Sequence, residues 1–276
     1  MARIINKDTT VCMSLSARPS NFGTRFHNYL YEKLHLNYLY KAFTTNNLKD
    51  AIYGIKALGI RGCAISMPYK EACIEFIDEL DGSVKSIQSV NTIVNTNHHL
   101  KAYNTDYIAV AKLIVENKIN NTTPFVLKGS GGMANAVIGA FYDAGFKNGI
   151  IAARNQQKGE ALAKRYGYKW VKDEQEILPH QAKLIINVTP IGMLGGIESE
   201  ALAFPTTMIK NADIVFDVVA LPVDTPMIKY AQKLNKIIIS GADVAVLQAL
   251  KQFVLYTGVT PSDELVRQAG EFARQG

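Results

Sequence analysis

Disulfide chemistry is scarcely open to this chain, whose 276 residues include three cysteines, Cys12, Cys63 and Cys73. The number is odd, the three are scattered, and no CxxC spacing occurs. That argues against a disulfide framework and against a zinc site. Long apolar runs are missing too: no stretch approaches the ~18 residues of a membrane span. The opening MARIINKDTTVCMS has no charged segment leading into an apolar one, as a secretory signal would. The expectation is a soluble, cytoplasmic protein without membrane contact. The formal charge is +6, yet the lysines and arginines are dispersed. With no basic run and no aromatic-interleaved stripe, nucleic acid is not the expected partner, and a modest attraction for small anions fits better. The five histidines show no HExxH or other ligand spacing, so no metal is expected. Repeats and low-complexity tracts are absent as well.

What is present is an ordinary globular composition, 48% hydrophobic and 20% charged, enough for one large domain or two medium ones. Up to about residue 105, short apolar runs mix with amphipathic stretches. Phe26 to Leu34, Leu48 to Leu58 and Lys70 to Leu80 read as helices, and Ile60 to Ser66 as a strand. Ser89 to Asn95 and Leu100 to Tyr103 read as paired strands around the polar turn Thr96-Asn-His-His. From Phe125 onward, apolar runs at 125–128, 149–153, 168–171, 183–188, 213–218 and 236–240 alternate with helical stretches. This rhythm predicts a parallel, doubly wound sheet. The polar segment Asn117 to Pro124 reads as a boundary, and the helical tail from Val244 to Arg274 as a return to the first half.

Between the run Phe125-Val126-Leu127 and the helix-friendly Met133 to Phe141 lies Gly129-Ser130-Gly131-Gly132. In a strand–turn–helix arrangement such glycines allow a tight turn and close backbone approach, and the first helical N–H groups point at an anion. The spacing is GxGGxA, short of the full GxGxxG fingerprint, and a plain loop is the alternative. The end of the next strand should then meet an adenosine ribose, roughly 20 residues beyond the last glycine. That stretch reads Ala153-Arg154-Asn155. A carboxylate would suit a ribose 2′-hydroxyl, whereas an arginine suits a 2′-phosphate, so NADP is the expected cofactor.

Further motifs follow in order: Ser14-Leu-Ser16, Gly62-Cys-Ala-Ile-Ser-Met-Pro-Tyr-Lys70, Ser89-Val-Asn91-Thr92, Asn104-Thr-Asp106, Gly129 to Ala134, Asn187-Val-Thr-Pro-Ile-Gly-Met193, and Gly241 with Gln248. With these the chain resembles the shikimate dehydrogenase family, more closely its shikimate dehydrogenase-like branch, over nearly its whole length. The resemblance implies an α/β protein of two domains meeting at a cleft. An N-terminal α/β substrate domain, 1–105 with the returning C-terminal helices 243–276, would flank a doubly wound Rossmann-type NADP-binding domain, 106–242. It implies a cofactor held by Gly129, Ser130, Gly131, Gly132, Met133, Ala134, Arg154, Asn155, Thr189 and Gly241. Lys70 and Asp106 would be catalytic, with Ser14, Ser16, Ser66, Asn91 and Gln248 binding a cyclic hydroxy acid such as shikimate, 3-dehydroshikimate or quinate. The protein would work as a monomer or homodimer.

The chemistry can be argued beside the resemblance. Reducing a ketone with a nicotinamide needs a proton delivered to oxygen as hydride reaches carbon. Lys70 follows Pro68 at an expected helix start, where the dipole disfavours the ammonium form. Asp106 would orient that lysine and bond a substrate hydroxyl. The bland alternatives are a solvated lysine and a helix cap. Cys63 has no base partner and reads as a buried thiol. Against the family pattern, Ala64 stands where Asn is usual, Ser66 for Thr, Ala220 for Tyr, and Val244-Ala245 for Met-Leu. The segment from Ser16 to His27, with Arg18, Asn21 and Thr24, is longer than usual. A lost hydrogen bond costs on the order of 1 kcal/mol, so a different substrate, or a non-catalytic dinucleotide-binding protein, is the competing reading.

Overall fold

The computed structural model describes residues 5–85, 87–178 and 181–275. The chain divides into two compact units, 1–105 with 246–276, and 106–245. In the first, β1 (Thr10–Leu15), β2 (Tyr38–Phe43) and β3 (Gly62–Ile65) run parallel. β5 (Thr92–Thr96) is antiparallel to β3, β6 (His99–Tyr103) is antiparallel to β5, and β4 (Glu79–Leu80) closes the edge beside β6. The sheet order is β2-β1-β3-β5-β6-β4. Helices α1 (Asn21–Lys33), α2 (Leu48–Ala57) and the single turn α3 (Gly82–Lys85) join these strands. The inward stripe of α1, Phe26, His27, Leu30 and Tyr31, has helical spacing and is buried. Asn47 caps α2 by accepting from the Asp50 amide. The β5–β6 turn places Asn97 and His98 at φ 52° and 65°, the left-handed pair that a two-residue hairpin requires.

The expected helix from Lys70 to Leu80 is not formed. A turn through residues 67–71 leads into a short 3-10 helix, Ala72–Phe76, and then into β4. The apolar residues Ile74, Phe76, Ile77 and Leu80 suit either period, and pairing with β6 decides between them. Asp78 and Asp81 amides donate to Leu100 and Ala102 carbonyls, and the Asp78 carboxylate accepts from the Leu100 amide. Strands β1 and β2 had no assignment in the sequence reading, because their burial comes from neighbours far along the chain.

The second unit opens with α4 (Thr105–Glu116), whose first residue lies just before the division, so the units part at Thr105/Asp106 and not in the polar segment 117–124. Then β7 (Phe125–Lys128), α5 (Gly132–Asp143), β8 (Gly149–Ala152), α6 (Gln156–Tyr166), β9 (Lys169–Val171), β10 (Leu184–Asn187), α7 (Thr206–Asn211), β11 (Ile214–Asp217), α8 (Pro226–Lys233) and β12 (Ile237–Ser240) alternate. All strands are parallel, in the order β12-β11-β10-β7-β8-β9. Both faces of such a sheet are covered, which is why β7, β10 and β11 read as continuous apolar runs. The order reverses between β7 and β10, the switch point where doubly wound sheets bind ligands at strand C-termini.

Two helices end the chain: α9 (Gly241–Thr257), within which the division at Ala245/Val246 falls, and α10 (Asp263–Arg274). Phe253, Tyr256, Val266 and Ala269 join Phe26, Leu30, Tyr31 and Tyr40 in one core of the first unit. Gly62 is required there, since a Cβ would strike the Tyr256 ring. The tail thus returns to the first unit, as its position after the last strand led us to expect.

Candidate active site

The glycine turn sits between the C-terminus of β7 and the N-terminus of α5. Gly129 has φ +125°, a conformation L side chains rarely adopt, and a Cβ there would lie 2.8 Å from Val188 Cγ2 and 3.2 Å from Thr189 Cγ2. Gly131, by contrast, faces open space: a Cβ on it would meet nothing within 4 Å. No side chain caps the twelve-residue α5, so the first-turn N–H groups are left to another acceptor. Ser130, Gly132 and Met133 are half-buried along this turn, and Ala134 is the first residue to sink into the core. At the end of β8, Arg154 is exposed, and no hydrogen bond or ion pair holds its guanidinium among the described residues. Asn155 accepts from the Lys158 amide at 3.0 Å and so caps α6, leaving its amide NH2 for another partner. An open glycine turn, an uncapped helix and a free guanidinium at the strand end fit a dinucleotide carrying a 2′-phosphate.

Thr189 follows β10 and spends its polar atoms on its own loop. Its N–H and hydroxyl both donate to Asn187 Oδ1, at 3.0 and 2.6 Å, and the hydroxyl accepts from the Ile191 amide. The hydroxyl is therefore engaged within the loop, and the methyl is what faces Gly129. Gly241 opens α9 against the loop after β11, where a Cβ would collide with the Val218 and Val219 backbone.

In the first unit, Asn91 carries a buried network. Its Oδ1 accepts from the Thr105 amide (2.7 Å), the Thr92 hydroxyl (2.9 Å) and the Thr105 hydroxyl (3.1 Å). A backbone N–H can only donate, so the amide orientation is fixed, and the NH2 end has no partner among the described residues. Gln248 Oε1 accepts from Thr105 at 3.4 Å, and Gln252, 3% exposed, donates to Thr92 at 3.0 Å. Sequence reasoning quoted Thr92 and Thr105 within motifs but gave them no role, and it passed over Gln252, one turn beyond Gln248.

Ser14 lies on β1 in register with Ala64 of β3, and Ser16, next to the strand end, is buried. Ser66 is exposed past the end of β3, where its amide donates to the Leu15 carbonyl. Lys70 is half-buried, its carbonyl accepting from the Val90 amide. The α-helix expected after Pro68 is absent, so the dipole invoked for Lys70 from that helix is absent with it. Asp106 stands in the first turn of α4, two residues past the cap position at Asn104 rather than in it, and is 8% exposed. The thiol of Cys63 is fully buried, and desolvation pushes its pKa well up, as befits a packing residue.

Residues 21–93 match the family model described as the shikimate dehydrogenase substrate binding domain. A shikimate dehydrogenase-like protein of Haemophilus influenzae is 56% identical across 98% of this chain and 99% of its own. A shikimate dehydrogenase (NADP(+)) of Methanocaldococcus jannaschii is 34% identical across 96% and 98%. This chain belongs to the shikimate dehydrogenase family. A solved structure of a shikimate 5-dehydrogenase-like protein superposes with a TM-score of 0.94 at 56% identity, covering 99% of this chain and all of that one. A shikimate dehydrogenase in complex with NADP+ gives 0.86 at 31% identity, covering 97% and 96%.

Within this family fold, sequence reasoning also missed Asp217 at the end of β11. It is fully buried, in register with Asn187, and accepts from Asn187 Nδ2 (2.9 Å), the Val219 amide (3.1 Å) and the Thr225 hydroxyl (2.7 Å). Burial raises its carboxyl pKa while these donors pull the other way. A single Asp in an apolar strand carried no readable signal.

Proposed function

We propose that this chain is an NADP-dependent oxidoreductase that interconverts a hydroxyl and a ketone on a cyclic polyhydroxy carboxylic acid, with 3-dehydroshikimate and shikimate the first pair to test. One observation carries the reading: an open glycine turn at the switch point of a parallel sheet is followed, at the next strand end, by the unpaired Arg154. Arginine there selects a phosphorylated ribose. The relatives named shikimate dehydrogenase (NADP(+)) support the same cofactor.

When bound, NADPH supplies the hydride. The glycine turn, Ser130, Met133 and Ala134 would receive its pyrophosphate, Arg154 and Asn155 its adenosine end, and Thr189 and Gly241 would flank the rest through apolar and backbone surface. Lys70 gives the proton to the nascent alkoxide oxygen, and the Asp106 carboxylate orients the lysine, holds its charge and accepts from a substrate hydroxyl. Ser14, Ser16 and Ser66 bind the carboxylate. Asn91, its oxygen held by three accepted bonds, has its NH2 left to donate to a ring hydroxyl. Gln248 meets another. The small side chains Ala64 and Ala220 leave more room than amide or phenol groups would, so a bulkier relative of shikimate is an equal candidate. Among the described residues no helix is long and apolar enough to cross a membrane, and with three buried free thiols we place the reaction in the cytoplasm.

A panel of hydroxylated alicyclic acids, each offered with NADP+ and NAD+ and followed at the nicotinamide absorbance, tests this reading. Turnover of at least one member with NADP+ is expected. No reduction of NADP+ by any member, at protein concentrations where NADP binding is saturated, overturns it.

A further inference from the structure

At the C-terminal edge of the second unit's sheet, the end of β10 and two points of the loop after β11 meet on one buried side chain. Asn187 ends β10 and Asp217 ends β11, side by side in register and both fully buried. The β10 loop wraps around Asn187, whose Oδ1 takes both Thr189 donors and whose Nδ2 donates to the Ile191 carbonyl (3.2 Å) and to Asp217. The β11 loop is fastened by the Val219 amide on Asp217 Oδ1. On the other carboxylate oxygen sits the hydroxyl of Thr225, which caps α8 through the Ile228 amide.

These loops are walls for residues placed against the cofactor. Val188 and Thr189 press on Gly129, and Val218 and Val219 press on Gly241 closely enough that neither glycine could carry a Cβ. Val188 and Val218 extend the ladder, their amides bonding the Lys128 and Asn187 carbonyls, and farther out one backbone bond joins the loops, from the Leu194 amide to the Leu221 carbonyl. Next to the strand ends, side chains make the connection between the two walls. A carboxylate suits the joint because it accepts on every lone pair, and three donors, one from the end of β10 and two from the loop after β11, converge on it.

We propose that Asp217 is a positioning residue for dinucleotide binding, locking the loops after β10 and β11 at the separation that keeps the glycine turn and the Gly241 helix start open to the cofactor. This rests on the NADP reading above. Asp217 touches no reacting atom; it acts through Thr189, Val219 and Thr225.

The test titrates NADP+ calorimetrically into the wild type, Asp217→Asn and Asp217→Ala, with the thermal midpoint of each measured alongside. Asparagine can still accept from Asn187 and Val219 on its oxygen and donate to Thr225, so it should keep Kd within about threefold. Alanine unfastens the end of β10 from both points of the loop after β11 and should raise Kd roughly tenfold or more, the penalty typical of misplacing a binding group by about an ångström. A merely structural role would lower the thermal midpoint of the alanine variant and leave Kd, measured well below that midpoint, unchanged; that outcome overturns the proposal. Should the alanine variant not fold, amide hydrogen exchange on the wild type decides. The Thr189 and Val219 amides are held by side-chain oxygens alone, and saturating NADP+ should slow their exchange. Exchange indifferent to NADP+ overturns the proposal. A wild type that does not bind NADP+ at all defeats the cofactor reading instead, which separates the two failures.

Discussion

In the first unit several buried polar atoms go unanswered. Among the described residues, His27 Nδ1 and Nε2 and the hydroxyls of Tyr31 and Tyr256 have no hydrogen-bond partner, although Gln252 faces the histidine and the Cys12 sulfur faces Tyr31. In the second unit Asn187, Asp217 and Thr225 are as deeply buried, and each of their polar atoms is paired. The contrast follows from where the groups sit. His27 lies in an aromatic core, stacked on Tyr40 at 4.4 Å between ring centroids, with Phe253 and Tyr256 around it. That core gains from ring packing and tolerates orphaned atoms, each at a cost of about 1–3 kcal/mol. Asn187 and Asp217 sit at strand ends, where the chain leaves the ladder and loop amides need acceptors. The aromatic core of the first unit therefore tolerates unanswered polar atoms, while at the strand ends of the second unit buried polarity fastens loops.

Three experiments break or sharpen this comparison. The largest effect should come from the first unit's half-buried Lys70, which contributes to chemistry rather than to either kind of buried polarity. Lys70→Met keeps the apolar stem, so fold and NADP affinity should stay near wild type while turnover falls by ~10²- to 10⁴-fold. Steady-state rates across pH check it, and wild-type turnover with the same pH profile removes Lys70 from the mechanism.

The next effect concerns His27. Desolvation lowers its pKa to about 3 in the folded chain, against an ordinary value of 6.5. Within that window the unfolded chain holds a proton that the folded chain refuses, so stability is complete above pH 6.5 and falls as pH drops towards 3. The slope should be about 1.4 kcal/mol per pH unit from this group. Urea unfolding of the wild type and His27→Phe at pH 7, 6 and 5 measures the difference. Parallel slopes in the two proteins would mean the ring finds a partner after all, and the two units would then be alike.

The smallest effect lies in the second unit. Arg154→Ala removes an exposed, unpaired cation, so stability should hardly change, while NADP affinity drops about 10- to 100-fold, the value of one or two charge-assisted hydrogen bonds. NAD affinity should be unaffected. Competitive titration of both cofactors checks this, and an unchanged preference would move the selection elsewhere, with Lys158 one turn into α6 the next position to vary.

The two units also differed in how readily they could be read. In the second, every strand run announced itself, because a parallel sheet covered on both faces needs apolar side chains on each. Gly129, Arg154 and Asn155 were visible beside those strands because turn geometry and strand ends fix their spacing. In the first, β1 and β2 were missed and Lys70–Leu80 was taken for a helix, since half-covered strands and short helices share mixed patterns. Ser14, Ser66, Asn91 and Gln248 could be singled out only through the family resemblance. As isolated residues they looked like turn and cap formers, which the exposed, backbone-bonded Ser66 partly is.

By itself, then, the sequence determined the alternation of strands and helices from Phe125 onward, the glycine turn and the cation at the next strand end. These depend on residues close together in the chain, where periodicity and spacing act directly. Only the tertiary structure decided that Glu79 and Leu80 join the edge strand β4 rather than a helix, that the Thr189 methyl lies against the Gly129 turn, and that Asp217 ties the end of β10 to the loop after β11. Each of those outcomes depends on a partner distant in the chain: β6 for Leu80, the Gly129 turn for Thr189, and Asn187 for Asp217. A side chain's choice among hydrogen-bond partners is settled by which donors the fold brings within 3 Å, and linear spacing carries no record of that.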